Sequence, residues 1–334
     1  MNDLAVKCKN IWPGLGIATI TGMAALFLGE HYNAPVMLFA LLLGMAVSFL
    51  YQQDTPCSCG IDFTASTLLR AGVVLLGLRV ALGDLIILGW HTALMLAGAI
   101  FTTIVLGVFL AKVFGLQKRF GALTGGSVAI CGASAALAIS TILPKGENHE
   151  RDTLLTVIGV TAMSTIAMIV YPIIAAQMGM SDINAGIFLG GTIHDVAQVV
   201  GAGYSISDET GDLSTLVKLF RVMMLAPVIL VASLILRKAH LEAGGGGKAP
   251  PLIPAFVAGF IALAILGTMQ LVPPMITEGV NLVSRSCLVV AVAAVGMKTS
   301  LQAFASVGRS ALALLITLTL LIAALVAIGL AVLV

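Results

Sequence analysis

The stretch AGIFLGGTIHDVAQVVGAGYSIS, residues 185–207, combines an apolar run with a Gly-Gly pair and a short polar cluster. Thr192, His194, Asp195 and Gln198 all fall within seven residues of it. Polar groups at membrane depth must find partners or line a wet cavity. On one continuous helix, at about 100° per residue, Thr192, Asp195 and Gln198 would share a face. The cluster therefore predicts a functional site, with a hydrogen-bonded core histidine as the alternative for His194.

A second stretch, FGALTGGSVAICGASAALAISTIL at residues 120–143, repeats the Gly-Gly pair followed by a hydroxyl residue. A break at Gly125-Gly126 or at Gly132 would free backbone N–H groups at the start of a half-helix, where partial positive charge binds anions. Close packing of small residues at a helix interface is the alternative for these glycines. The candidate substrate-binding residues of the two stretches are Thr124, Gly125, Gly126, Ser127, Cys131, Gly132, Ser134, Thr192, His194, Asp195 and Gln198.

The composition surrounding these stretches is that of a membrane protein. Of 334 residues, 59% are hydrophobic and 10% are charged, against about 45–50% and about 25% in soluble domains. A net charge of +2 is too small for a nucleic-acid partner. The five scattered cysteines do not form a disulfide framework. Cys57-Ser58-Cys59 could bind a soft metal, but no second cysteine pair or nearby histidine accompanies it, so no metal or other cofactor is expected. Lipid is therefore the expected solvent for most of the chain.

A bilayer core of about 30 Å takes roughly 20 apolar residues of helix. By that measure the sequence predicts an all-α polytopic protein with about 11 transmembrane segments in a single transmembrane domain, residues 1–334. A seam in that domain would fall at the glycine-rich linker 243–251. The predicted segments are 12–29, 34–51, 64–82, 91–113, 120–143, 153–177, 185–206, 214–236, 251–271, 279–297 and 309–333.

Charged loops set the predicted orientation, because Lys and Arg favour cytoplasmic loops. With a cytoplasmic N-terminus, eleven of the seventeen basic residues fall inside, Lys118 and Arg119 among them. Most acidic residues, including Glu147, Glu150 and Asp152, then fall outside. This threading places the C-terminus on the opposite, periplasmic side.

Residues 71–89 resemble residues 290–308 weakly, which indicates an internal repeat. Each contains a glycine, a long apolar residue and a cation, as Gly77-Leu78-Arg79 and Gly296-Met297-Lys298. These two segments run in opposite directions under the eleven-span count, as an inverted repeat requires. The two Gly-Gly stretches run the same way, so either their likeness is convergent or one of them is re-entrant.

Two basic residues are candidate accessory cations of the site, Arg221 and Lys298. Lys298 ends a span, so snorkelling to the interface is its alternative. Lys218 and Arg221 lie three residues apart on one helical face at the start of a span and predict an external basic vestibule. Arg221 lies deeper in the apolar run and is the better candidate.

Three motifs, LLRAGVVLLGLRVALGDL (68–85), GGSVAICGASAALA (125–138) and GGTIHDVAQVVGAG (190–203), resemble the YeiH-like (UPF0324) bacterial inner-membrane proteins, often labelled sulfate exporters. The resemblance covers nearly the whole chain. It implies a transporter related in fold to the cation/proton antiporter and bile-acid symporter group, with inverted repeats and interrupted crossing helices. The positions that match by motif are Gly125, Gly126, Cys131, Gly132, Ser134, His194, Asp195, Gln198 and Gly201.

These observations predict a secondary transporter of a small anion, such as sulfate, sulfite or a sulfonate, with proton coupling through His194 and Asp195. The alternative is a Na⁺/H⁺-type cation antiporter in which Asp195 binds the cation. An enzyme is not expected, because the sequence has no H-E-x-x-H motif and no pair of intramembrane aspartates. The expected partners are membrane lipid, the anion and H⁺, with a homodimer as the default assembly.

Overall fold

The computed structural model of this chain describes residues 11–32, 36–51, 55–78, 82–144, 148–225, 227–232, 234, 255–269, 272–299 and 308–333. Across those ranges the secondary structure is helical, and no strand occurs in them. The main helices are α1 (Trp12–Tyr32), α2 (Val36–Ala46), α3 (Ser58–Leu76), α4 (Leu82–Val113, broken at Gly89, where φ is +67°), α5 (Lys118–Ala129), α6 (Ala133–Ile142), α7 (His149–Gln177), α8 (Asp182–Thr192), α9 (Val196–Tyr204), α10 (Asp208–Met223), α11 (Ala255–Thr268), α12 (Pro274–Lys298) and α13 (Arg309–Leu333).

Seven helices of the described ranges are long and apolar enough to cross a membrane, which fits a polytopic all-α membrane protein. Two shorter apolar helices, Val36–Ala46 and Ala258–Thr268, accompany them. The predicted runs 120–143 and 185–206 are each broken into two short helices. The predicted count of eleven spans is therefore not confirmed.

The chain divides into two compact units. The first comprises residues 1–87, 200–212 and 255–300, and the second comprises residues 88–199, 213–254 and 301–334. The linker 243–251, where the sequence places a seam, lies outside the described residues.

The first unit is organised around α12, which packs against α2 and α3 through glycines. A Cβ on Gly72 would lie 3.0 Å from Leu288, and the Ser284 hydroxyl donates to the Gly72 carbonyl at 2.7 Å. Gly44 and Gly296 bring α2 and α12 close enough that their backbones touch. Lipid tails are as apolar as the helix surfaces, so the hydrophobic effect does not drive membrane helices together. They associate by close van der Waals packing, which small residues allow.

Lys298 is committed to a contact inside this first unit. Its Nζ lies 2.6 Å from Asp62 Oδ1 and 5.5 Å from the centre of the Tyr51 ring. Tyr51 donates its hydroxyl hydrogen to the same carboxylate oxygen at 2.8 Å. The candidate accessory cation thus has a carboxylate partner of its own. Arg79, its counterpart in the predicted internal repeat, lies outside the described residues.

In the second unit, α5 and α6 form a re-entrant hairpin. Arg119, at the start of α5, donates to the Pro144 carbonyl just after α6 at 3.2 Å and to Asp152 Oδ2 at 3.1 Å. The hairpin therefore begins and ends at one end of the unit. The 12 residues of α5 extend only about 18 Å, short of a bilayer core of about 30 Å. The predicted topology, which placed Asp152 and Arg119 on opposite sides of the membrane, is therefore wrong.

The segment α8–α9 turns back in the same way. Cβ atoms on Gly186 and Gly190 would lie 3.0 Å from Leu213 and 2.7 Å from Val217, so α10 runs beside α8 in the same direction. The chain from the end of α8 must then return to the level of Gly186 before α10 passes it, and α9 makes that return. Both Gly-Gly stretches turn back on themselves, so the common direction that the eleven-span count gave them, by treating each as a full crossing, does not hold.

The two hairpins enter the second unit from opposite ends. Helix α7 begins five residues after Pro144 and ends at Gln177, just before α8. Its 29 residues extend about 43 Å, enough to cross a bilayer core. The helix therefore carries the chain from the open end of the first hairpin to the open end of the second.

Candidate functional site

The tips of the two hairpins touch. The first tip is the Ile130–Gly132 turn between α5 and α6, and the second is the Ile193–Asp195 turn between α8 and α9. Gly132 has φ +63°, a conformation that residues with a Cβ rarely adopt. A Cβ at this position would lie 3.6 Å from the Cβ and carbonyl oxygen of His194. The predicted break at Gly132 is confirmed, and the turn brings Cys131 and His194 into one region.

The Arg221 guanidinium donates hydrogen bonds to backbone carbonyls of both tips. Its Nε donates to Ala129 O at 3.0 Å, and its Nη2 to Val128 O at 2.9 Å and Ala129 O at 2.8 Å. Its Nη1 donates to Gly190 O at 3.0 Å and Ile193 O at 2.9 Å. A guanidinium has five N–H groups, so all of them are engaged. The side chain is fully buried.

Lys218 adds a second fully buried cation to the same place. Its Nζ donates to Ile130 O at 2.6 Å and Ile193 O at 2.9 Å. These carbonyls stand at the C-terminal ends of α5 and α8, where the helix dipole is partially negative and carbonyls lack intrahelical donors. The prediction of an external basic vestibule is wrong, since Lys218 and Arg221 are interior clamps of two helix ends.

The opposite helix ends, the starts of α6 and α9, also lie at the tips. The Asp195 carboxylate accepts the Ala197 N–H at 3.0 Å and so caps α9, while the Asp195 N–H donates to Ser164 Oγ at 3.0 Å. Asp195 is half-buried. Because α8 and α9 are separate helices, the predicted single face of Thr192, Asp195 and Gln198 does not exist.

His194 and Gln198 are buried with unused hydrogen-bonding atoms. His194 Nε2 lies 3.0 Å from Thr319 Oγ1 on α13. Its Nδ1 has no hydrogen-bond partner among the described residues, and neither does Gln198 Oε1. The two residues are 0% and 1% exposed. Buried polar atoms are usually satisfied, so both atoms are suited to a ligand or a water.

The hydroxyl groups of the other candidates are engaged by the protein. Ser127 and Thr192 donate to carbonyls four residues back in their own helices, both at 2.6 Å. Thr124 Oγ1 lies 3.4 Å from Thr156 Oγ1. Ser134, in the first turn of α6, is exposed. The structure thus concentrates available polar atoms at the second tip.

Gly125 and Gly126 are packing residues within continuous helix. A Cβ on Gly125 would lie 3.1 Å from the Thr103 carbonyl oxygen and 3.3 Å from Gly107 Cα on α4. A Cβ on Gly126 would overlap Ile139 of the returning α6. The prediction of a break at this pair is wrong, because small residues are needed here to bring α4, α5 and α6 together.

Comparison with known proteins identifies the family. The family model described as Conserved hypothetical protein 698 matches residues 13–315. The UPF0324 membrane protein TauZ of Paracoccus denitrificans is 49% identical over 322 residues, which cover 96% of this chain and 95% of that protein. The chain belongs to the UPF0324 family. A UPF0324 membrane protein of Chlorobaculum tepidum is 47% identical, over 96% of this chain and 89% of that protein. No solved structure matches.

Two residues of this UPF0324 site, Ser164 and Thr319, escaped the sequence-based prediction, and a third, Lys218, was predicted to lie in an external vestibule. Ser164 and Thr319 hold the second tip from α7 and α13, at sequence separations of 31 and 125 residues. The sequence around each of these two residues contains no pattern that points to the site. Lys218 does have one, because a cation three residues before Arg221 in an apolar helix marks a functional or structural demand.

Replacing Gly190 with alanine should destabilise this UPF0324 protein. The added Cβ would lie 2.7 Å from Val217 Cβ and closer still to the Ser214 carbonyl oxygen. Overpacking of this kind costs about 1–3 kcal/mol, so we expect a clear drop in the thermal unfolding temperature in detergent. Gly98→Ala is the matched control, since nothing lies within 4 Å of a Cβ there. Equal unfolding temperatures for the two variants would contradict the close α8–α10 contact.

Proposed function

We propose that this protein is a secondary transporter of a small oxyanion, such as sulfate, sulfite or a sulfonate, across the bacterial inner membrane. One observation carries the proposal: two hairpins that enter from opposite ends touch at buried tips, where His194 Nδ1 and Gln198 Oε1 have no hydrogen-bond partner among the described residues. Interrupted helices meeting deep in a membrane protein are the usual form of a transporter substrate site.

The charges around the tips favour an anion over a cation. Lys218 and Arg221 are fully buried there, and Asp195 is the carboxylate that the described part of the two tips contains. The carbonyl-rich C-terminal helix ends are occupied by these two cations. The start of α6 has no side-chain cap, and a helix start attracts negative charge. A Na⁺/H⁺-type antiporter would need Asp195 to release its helix cap, so it is the weaker candidate.

Arg221 itself is unlike a substrate ligand, because its five N–H groups already bind carbonyls. Its proposed role is electrostatic. It holds the helix ends together and contributes positive potential to the substrate, while His194 and the first turns of α6 and α9 make the direct contacts. In this proposal the protein is a carrier and not an enzyme.

Proton coupling is assigned to His194 and Asp195. Asp195 is half-buried at the second tip and caps α9. Intramembrane histidines and carboxylates commonly carry protons in transporters. Protonation of Asp195 would remove the negative charge nearest the proposed site, so anion binding and proton binding would favour each other.

Proteoliposomes test this proposal. The purified full chain should take up radiolabelled sulfate, sulfite or ethanesulfonate when a pH gradient is imposed, and Asp195→Asn should abolish the pH dependence. The substitution removes the titrating group while keeping an oxygen that can cap α9. The measurement is initial uptake rate against internal and external pH.

Asp208→Asn is the matched control, because the Asp208 side chain is 43% exposed and pairs with Arg285 at 2.7 Å. It should keep the wild-type pH dependence. Anion uptake with unchanged pH dependence in Asp195→Asn would remove the coupling role. Na⁺-driven proton flux without uptake of any of the three anions would overturn the anion proposal itself.

A further inference from the structure

A cavity of about 360 Å³ opens at the end of the second unit from which the first hairpin enters. The loop after α4, the start of α7 and the start of α13 form its walls. Its polar lining residues are Gln117, Asn148, Arg151, Asp152, Arg309 and Ser310. None of these residues belongs to the hairpin tips, so the cavity is separate from the proposed transport site.

The charge of this cavity is unbalanced. Its carboxylate, that of Asp152, is bound by Arg119 at 3.1 Å. Arg151 and Arg309 form no ion pair with any residue that the structure describes. Both stand in the first turn of a helix, where the helix dipole is already positive. Both side chains are exposed and solvated, and an anion that enters the cavity is attracted by two guanidinium groups and two helix starts together.

The cavity also offers donors that have no acceptor within their helices. The first backbone N–H groups of α13, at Arg309, Ser310 and Ala311, precede the first intrahelical bond, which Leu312 N–H makes to Gly308 O at 2.9 Å. Asn148 precedes α7, and its side chain does not cap that helix. Guanidinium forks combined with such groups match the oxygens of a tetrahedral anion.

We propose that this cavity binds a phosphate-type oxyanion, either the phosphodiester of an anionic phospholipid headgroup or a free phosphate or sulfate ion. Its volume is about ten times the roughly 30 Å³ of one liquid water, which leaves room for a headgroup beyond the phosphate. Apolar residues Leu116, Phe120 and Leu155 complete the wall. Nearby Val113 and Leu154 are 67% and 59% exposed, as residues that meet lipid chains are.

The test compares two sources of the same chemistry on the purified full chain. One arm measures thermal unfolding in phosphate-free detergent with and without inorganic phosphate or sulfate. The other compares nanodiscs of phosphatidylcholine with nanodiscs containing phosphatidylglycerol, and counts bound phosphatidylglycerol by native mass spectrometry. We expect at least one source to raise the unfolding temperature. The double variant Arg151→Gln, Arg309→Gln should lower the binding affinity for that source about tenfold or more.

Stabilisation in the first arm alone identifies a free anion, and stabilisation in the second alone identifies a lipid headgroup. Arg309→Lys keeps the charge but loses the fork, so it should bind with intermediate strength. Arg285→Gln removes an exposed arginine of the first unit and should change nothing. Stabilisation by neither source, or an equal response from the double variant, overturns the proposal. Asp195→Asn should keep this binding, which separates the result from the transport proposal.

Discussion

Replacing Arg221 with methionine should destabilise the protein more than replacing Gly190 with alanine does. The guanidinium donates five hydrogen bonds to carbonyls of both hairpin tips and is fully buried. Each buried polar group left without a partner costs about 1–3 kcal/mol. Total stabilities of proteins are only about 5–15 kcal/mol, so we expect loss of most folded protein in detergent.

Arg221→Lys separates charge from geometry. Lysine keeps the positive charge near the C-terminal helix ends but offers three N–H donors in place of five. At least two of the tip bonds must then be lost, so the unfolding temperature should still fall well below that of the wild type. Lysine is not a conservative replacement where a planar fork joins two backbone segments.

The measurement is thermal unfolding and monodisperse yield on size exclusion. Arg285→Met and Arg285→Lys are the controls, because the Arg285 side chain is 52% exposed and its ion pair with Asp208 is at the surface. Exposed pairs contribute about 0–1 kcal/mol. If Arg221→Lys unfolded at the wild-type temperature, positive charge alone would hold the tips together, and the five hydrogen bonds of the guanidinium would not be needed.

Apolar runs in the sequence predicted the positions of the helices well but not the path of the two interrupted segments. The 24 residues of the run 120–143 would span a bilayer as one helix, and hydropathy is the same whether the chain continues or turns back. The difference lies in one backbone conformation, φ +63° at Gly132. The sequence permits it there, as it does at every other glycine.

The chemistry of the site was predictable in part. Polar residues in an apolar stretch are conspicuous, so His194, Asp195 and Gln198 could be singled out. The role of Arg221 could not, because intramembrane cations are usually sought beside carboxylates, whereas this one binds backbone carbonyls, which carry no sequence signal. The His194 contact with Thr319 spans 125 residues and depends on the packing of α13.

Single-cysteine labelling should place Lys118 and Glu150 on one side of the membrane and Met178 on the other. The first hairpin returns to its starting end, where Arg119 binds Asp152, and α7 then crosses to Met178. The eleven-span threading instead groups Lys118 with Met178 and puts Glu150 opposite. An all-or-none labelling pattern therefore distinguishes a hairpin from a spanning helix.

The experiment uses Lys118→Cys, Glu150→Cys and Met178→Cys, with an impermeant maleimide on right-side-out and inverted vesicles. All three positions are exposed, Met178 at 61%. The parent chain has Cys8, Cys57, Cys59 and Cys287 replaced by serine, retains Cys131, which is 5% exposed, and supplies the background signal. Labelling of Lys118→Cys and Glu150→Cys from opposite sides would mean that α5 and α6 together cross the membrane. Arg119 could not then reach Asp152, so that pattern would refute the hairpin and the meeting of two opposed tips on which the transport proposal rests.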